Sequence, residues 1–291
     1  MSTDSAHTPQ TPARDVTVIV AAYNEAFRIG ATLDALATAF PGAQVWVADD
    51  GSTDATSEVA SRAGVRVVRS ERMIGKGPAV TLAARDALED ARNARNACAR
   101  THTHVRARAF DQKSNAIHDD DTAGGDVTGG DRVRERESTH DREASNDDER
   151  IFILCDGDLG ESAGRLGALA DTVRRGETDM AVATFATRIG GGVGLAVGFA
   201  RWAIGRRCGL QMRAPISGQR ALRAEVLEDV LPFAAGFGME IGITIDAARA
   251  GHRVAEIELD LSHRATGRTL SGFLHRGRQL VDFVRVYFAR R

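Results

Sequence analysis

The sequence predicts an α/β protein with a mostly parallel sheet flanked by helices, and three observations predict it. Short β-branched runs alternate with segments of helical periodicity along most of the 291 residues. Alternation of this kind builds βαβ units, whose helical crossovers join parallel strands. The unusual polar clusters follow strands, as they do where ligands bind beyond the carboxyl ends of such a sheet.

The elements follow in order. The first strand, Val16–Ala22, is the near-continuous apolar run VTVIVAA, and the helical pattern Phe27–Ala39 comes after it. Gln44–Ala48 and Val65–Arg69 are valine-rich strands on either side of a helical segment, Ala55–Arg62. Ala79–Ala91 is the next helical segment, and Ile151–Cys155 the next apolar strand. Ala163–Arg174 has helical spacing again, and Asp179–Thr184 and Arg253–Leu261 complete the strands.

One segment departs from this pattern. Residues 92–150 are crowded with charges of both signs and nearly empty of large apolar side chains. Such a stretch buries too little surface to offset the entropy of ordering it, so it reads as a low-complexity, disordered insertion. It holds four of the eight histidines (His102, His104, His118 and His140), irregularly spaced, as in a solvated linker rather than a metal-binding tract. It enters before a strand, so it is expected at the sheet edge opposite the polar clusters, away from chemistry. Without it about 230 residues remain, enough for one domain. The boundaries are therefore a disordered tail at 1–14, a first half of the domain at 15–91, the insertion at 92–150, a second half at 151–268, and an amphipathic C-terminal helix at 269–291.

Composition removes several function classes. At 43% hydrophobic with a formal charge of −2, the chain has ample core material and no general reason to bind nucleic acid. Its three cysteines (Cys98, Cys155, Cys208) are far apart and show no zinc or disulfide pattern. The polar N-terminus lacks the apolar core of a secretory signal, and no run of about 18 uncharged apolar residues offers a membrane span. A cytoplasmic protein is expected.

The polar clusters carry the chemistry. Tyr23-Asn24-Glu25 follows the first strand, DDGSTD (Asp49–Asp54) the second, SERMIGKG (Ser70–Gly77) the third and Asp156-Gly157-Asp158 the fourth. Ser52 or Asp54 suits a helix cap. The carboxylates of Asp49 and Asp50 call for something more, and one at a strand end can accept the N3–H of uracil, which cytosine lacks. GKG fails the P-loop spacing, and no GxGxxG follows the first strand, so P-loop and ordinary dinucleotide chemistry are both disfavoured. Lys76 remains a point charge for a phosphate. Asp156 and Asp158, one residue apart, repel each other unless water or a cation intervenes. Two carboxylates at that spacing can converge on one hard cation, with a diphosphate completing its shell.

Taken together, VTVIVAAYNEAFRIGATLDAL, VWVADDGSTDATSEVA, GKGPAV and CDGDLG, in that order, resemble family 2-like glycosyltransferases of GT-A fold. The resemblance covers nearly all of the chain outside the tail and the insertion. It implies a nucleotide-sugar donor, a UDP- or GDP-hexose, and a divalent cation, Mg²⁺ or Mn²⁺. It places Ala22, Tyr23 and Glu25 in the nucleoside pocket with Asp49 facing uracil and Asp50 beside it, Lys76 near the nucleotide, and Asp156 and Asp158 on the metal. Such enzymes often add a later histidine to the metal, and His263 in SHRATGR is the candidate.

The second half, RIGGGVGLAVGFARWAIG, loosely resembles the acceptor region of glucosyl-3-phosphoglycerate synthases. By that likeness Arg188, Gly191 and Gly192 would receive an anionic acceptor at a helix start, and Ser217 in PISGQRAL would line the sugar pocket. Glu240 in FGMEIG would bind a sugar hydroxyl, or act as general base if the reaction inverts. The leading expectation is a metal-dependent hexosyltransferase acting on a small phosphorylated acceptor such as 3-phosphoglycerate. Three alternatives stay open: a polyprenyl-phosphate glycosyltransferase peripheral to the membrane, whose arginine-rich amphipathic tail would meet anionic lipid; a nucleotidyltransferase; and a non-catalytic GT-A scaffold. A homodimer is also left open.

Overall fold

The computed structural model describes residues 13–116, 150–185, 195–261 and 284–289. Among the described residues seven strands form one sheet: β1 (Val16–Ala22), β2 (Gln44–Asp49), β3 (Arg66–Arg69), β4 (Ile151–Asp156), β5 (Met180–Phe185), β6 (Arg220–Arg223) and β7 (Val254–Leu259). Their order is β3-β2-β1-β4-β6-β5-β7. Six of them are parallel, and β6 runs against both of its neighbours, β4 and β5. The helices are α1 (Ile29–Ala39), α2 (Thr56–Arg62), α3 (Lys76–Ala116), α4 (Gly167–Arg174), α5 (Leu195–Cys208), α6 (Ala224–Val230) and α7 (Met239–Arg249).

The central strands are buried on both faces, which is why β1 and β4 read as unbroken apolar runs. Val16, Val18 and Val20 of β1 and Ile151 and Ile153 of β4 join Ile29, Leu33 and Leu36 of α1 and Leu169 and Val173 of α4 in one core cluster. The alternate residues Ile19, Phe152 and Leu154 are fully buried too, and strand alternation puts them on the other face.

Two compact units are distinguished, residues 1–87 with 149–291 and residues 88–148. The first contains the sheet and every described candidate site residue. In the second, helix α3 continues to Ala116. Residues 92–116 of the expected insertion fall within this helix, and their alanines and arginines are good helix formers. Residues 117–149 lie outside those described, as do residues 1–12 and most of the predicted C-terminal helix, of which 284–289 are helical. Among the described residues no helix is long and apolar enough to cross a membrane.

The reversal at β6 matters for the site. Because β6 is antiparallel, the residues that precede it (217–219) lie at the same edge as the carboxyl ends of β1, β2 and β4. At the opposite edge Asp179 locks the sheet. Its carboxylate accepts hydrogen bonds from the Arg253 backbone N–H (2.8 Å), Nη2 (2.8 Å) and Nε (3.1 Å). These bonds hold the Asp179 carboxyl down to about 2, below its ordinary 3.8. A depressed carboxyl stabilises the fold above its unfolded pKa, and that stabilisation is lost as pH falls toward 2. Asp179→Asn is expected to cost about 2 kcal/mol at pH 7 in urea unfolding, with the gap to wild type closing as pH falls from about 4 toward 2. A gap that is the same at both ends of that range would refute the assignment.

Candidate active site

Four loops meet at the carboxyl edge, and hydrogen bonds from one loop to the next fix them. After β1, the backbone N–H groups of Asn24, Glu25 and Ala26 donate to Ser52 Oγ (2.9 Å), Thr56 Oγ1 (2.8 Å) and Asp54 Oδ2 (3.1 Å) of the loop after β2. Asn24 sits at φ 55°, in the left-handed region, and its Oδ1 accepts the Thr53 N–H at 2.8 Å. Ser52 and Asp54 thus tie two loops together. Neither side chain caps α2, whose N-cap residue is Ala55, although Asp54 Oδ1 does accept the Thr56 N–H at 2.9 Å. This joint sets Ala22 (buried), Tyr23 (exposed) and Glu25 (half-buried) beside one another.

The two aspartates after β2 have separate tasks. Asp49 is fully buried; it accepts the Ser52 N–H at 2.8 Å and the Ser57 hydroxyl, with Arg69 Nε 3.8 Å away. This placement departs from the expectation that Asp49 faces a base, because no carboxylate surface is left open to one. The spacing could not reveal this, since Ser57 and Arg69 reach Asp49 from α2 and β3. Asp50 accepts the N–H of Ile74 (2.7 Å) and of Gly75 (2.9 Å), and so fixes the loop that delivers Lys76.

Lys76 opens α3 and is the centre of the site. Its Nζ lies 2.6 Å from Asp156 Oδ1 and 2.8 Å from Glu240 Oε1. Burial works against the ammonium, but the two carboxylates outweigh it and hold Lys76 above the ordinary lysine range. The other oxygen of Asp156 accepts from Gln219 Nε2 at 2.8 Å. A Cβ on Gly218 would stand 2.7 Å from Asp156 Oδ2 and 2.8 Å from Lys76 Nζ, so any side chain here would push the ion pair aside. Ser217 Oγ donates to Gln219 Oε1 at 3.2 Å.

Glu240 stands in the first turn of α7 and is buried. Its backbone carbonyl accepts the Thr244 hydroxyl at 3.0 Å, and that hydroxyl in turn accepts Arg220 Nη1 at 2.9 Å. Arg220 is fully buried, and the desolvation lowers its guanidinium to about 10 despite the charges of Glu240 and Glu256.

The structure therefore brings together Lys76, Asp156, Glu240 and Ser217, with Asp158 in the same loop as Asp156 and Asp50 one hydrogen bond behind Lys76. Gln219 was missed as a contact of Asp156: it lies in PISGQRAL, but β6 is four residues long and its antiparallel sense has no sequence signal. Arg188, Gly191, Gly192 and His263 lie outside the described residues. Among the described residues no group of three or more metal-ligating side chains gathers. The donor set present is the Asp156 and Asp158 carboxylates, hard oxygen ligands of the kind that suit Mg²⁺ or Mn²⁺, and Asp156 already has a cation, the Lys76 ammonium, against it.

Residues 17–91 match the model of glycosyl transferase family 2. No curated protein matches the chain. Among solved structures, the chain is similar to glucosyl-3-phosphoglycerate synthase from Mycobacterium tuberculosis. One such structure, with Mn²⁺, UDP-glucose and phosphoglyceric acid, is 23% identical at TM-score 0.59, covering 98% of this chain and 86% of that one. A second, with Mn²⁺, UDP and glucosyl-3-phosphoglycerate, is 23% identical at TM-score 0.58, covering 94% and 79%. A third, with Mg²⁺ and UDP, is 21% identical at TM-score 0.56, covering 94% and 78%. The chain has the GT-A fold, with a family 2-like glycosyltransferase segment in its first half.

Proposed function

We propose that this family 2-like glycosyltransferase moves a hexose from a nucleoside diphosphate sugar, a uridine donor favoured, to a small phosphorylated acceptor such as 3-phosphoglycerate. The observation that carries the reading is Lys76, held between Asp156 and Glu240 at the edge where all four loops meet. One cationic side chain, two carboxylates and a DGD loop suit the diphosphate of a donor. The ligands in the structural neighbours, UDP with Mn²⁺ or Mg²⁺, UDP-glucose and phosphoglyceric acid, support the same donor and acceptor classes.

In this reading Ala22, Tyr23 and Glu25 line the nucleoside, while Asp49 and Asp50 hold the loops that shape its pocket. Asp156 and Asp158 hold the divalent cation, which when bound stabilises the leaving diphosphate. Lys76 takes a phosphate oxygen as its partner and turns from one of its carboxylates to do so. Glu240 orients a sugar hydroxyl, and serves as general base if the reaction inverts. Ser217 belongs to the acceptor wall. Arg188, Gly191 and Gly192 as an acceptor-phosphate site, and His263 as a further metal ligand, remain expectations from the sequence.

One observation favours a second acceptor, a polyprenyl phosphate at a membrane surface. Trp202 of α5 and Phe288 of the 284–289 turn are 52% and 54% exposed, each with an exposed arginine one turn away, Arg206 and Arg285. Exposed aromatics interleaved with arginine suit an anionic interface.

Incubation with UDP-glucose, Mn²⁺ and 3-phosphoglycerate, read by mass spectrometry, tests the reading. Transfer of one hexose to the acceptor, abolished by EDTA, is expected. Transfer to polyprenyl phosphate alone would move the enzyme to the second acceptor. Hydrolysis or inertness with every donor and acceptor would favour a non-catalytic scaffold. Release of diphosphate from a nucleoside triphosphate and a sugar phosphate would make it a nucleotidyltransferase.

A further inference from the structure

We infer that Thr32 of α1 is a positioning residue for the metal-binding loop, a role that rests on the reading above. Thr32 is fully buried, more than 120 positions from that loop in sequence, yet its hydroxyl is bonded to the loop twice. Thr32 Oγ1 donates to the carbonyl of Gly157 at 2.8 Å and accepts the N–H of Gly160 at 2.9 Å. A helical threonine ordinarily turns its hydroxyl back to the carbonyl four residues earlier. Here that oxygen, of Arg28, is 3.4 Å away, and the shorter bond goes to the loop.

The two bonds bracket Asp158. Gly157 supplies the carbonyl just before it, and Gly160 the N–H two residues beyond. The peptide on the other side of Gly157 is held as well, because its N–H donates to Ala21 O at 2.9 Å. Both peptides between the two aspartates are thus fixed, one by β1 and one by Thr32. Asp156 has side-chain partners of its own in Lys76 and Gln219. Asp158 makes no hydrogen bond or ion pair with the described residues, so its direction follows from its backbone. Gly160 adopts φ +54°, a conformation that the bond from its N–H to Thr32 helps to hold. Removing the hydroxyl frees the segment between Gly157 and Gly160, and the Asp158 carboxylate loses its fixed angle to Asp156.

The test measures Mn²⁺ affinity in the presence of UDP, by calorimetry, in Thr32→Val and Thr32→Ser. Valine keeps the shape and loses the hydroxyl; serine keeps the hydroxyl. Groups that orient metal ligands typically change metal affinity by about 10- to 100-fold. Thr32→Val is expected to weaken Mn²⁺ at least tenfold and raise the apparent KM for Mn²⁺, with kcat at saturating Mn²⁺ within about threefold of wild type, and Thr32→Ser to restore wild-type affinity. A folded Thr32→Val with unchanged Mn²⁺ affinity overturns the assignment. So does a Thr32→Ser that fails like valine, which would make the methyl group and its packing responsible. Should Thr32→Val not fold, Thr32→Cys replaces it, its weaker thiol bonds giving a smaller loss in the same direction; unchanged affinity there also overturns the assignment. If wild type itself shows no Mn²⁺-dependent UDP binding, the functional reading fails first and independently of Thr32.

Discussion

Lys76→Met is expected to lower kcat/KM for sugar transfer by about a hundredfold or more, the scale on which loss of one preorganised charge acts. The variant keeps the length of the side chain and removes the ammonium that lies 2.6 Å from Asp156 and 2.8 Å from Glu240. Two carboxylates then face each other without their shared cation, and the Glu240 side chain is only 9% exposed. Stripping one partner from a buried ion pair typically costs about 3–5 kcal/mol, so the variant is also less stable. Lys76→Arg does not rescue it. The larger, planar guanidinium does not reproduce a compact ammonium seated 2.6 Å from Asp156 and 2.8 Å from Glu240, two carboxylates on different elements. Steady-state kinetics on folded protein checks this, and a Lys76→Met enzyme within threefold of wild type would remove Lys76 from the mechanism.

Gly77→Ala has the largest expected effect on stability. A Cβ there would lie 1.9 Å from the carbonyl oxygen of Ala234, an overlap of backbone that no side-chain rotation relieves. Just beyond, the Thr81 hydroxyl donates to Gly77 O (2.8 Å) and accepts the Phe233 N–H (3.0 Å), clamping the start of α3 to the same segment. Overpacking costs about 1–3 kcal/mol where side chains can give way, and a backbone clash belongs at or above the top of that range. A fall in melting temperature of about 5–10 °C is expected. Activity falls too, because Lys76 is the preceding residue. Gly198→Ala in α5, where nothing lies within 4 Å, is the control, and it should be neutral or stabilising. Equal melting temperatures for the two variants would contradict the packing argument.

Gly77 also shows where the sequence misleads. GKG suggests a phosphate loop, yet its second glycine is required by Ala234, which is 157 positions away and invisible to any local pattern. The parallel half of the sheet was legible, since strands buried on both faces leave apolar runs that only a sheet core explains. β6 was not, because RALR places a fully buried arginine in a strand of four residues. α6 and α7 were missed as well, and α5 was expected only as a helix start after Gly192. In α7 nearly every position is buried, so the polar face that marks an amphipathic helix is absent. At the site, the DGD, YNE and DDGSTD clusters announced themselves by following strands. What each residue touches depended on tertiary neighbours, which is why Asp49 turned inward while Gln219 and Thr32 escaped notice.

Calorimetric titration of UDP into wild type and Asp156→Asn, each with Mn²⁺ and with EDTA, tests the central claim most directly. On the proposed function the paired carboxylates hold a cation beneath a diphosphate. Wild type should therefore bind UDP at least tenfold more tightly with Mn²⁺ than with EDTA, and Asp156→Asn should bind equally weakly in both. Mn²⁺-independent binding of the same strength in both proteins would mean that Asp156 serves Lys76 alone and that the DGD loop holds no metal.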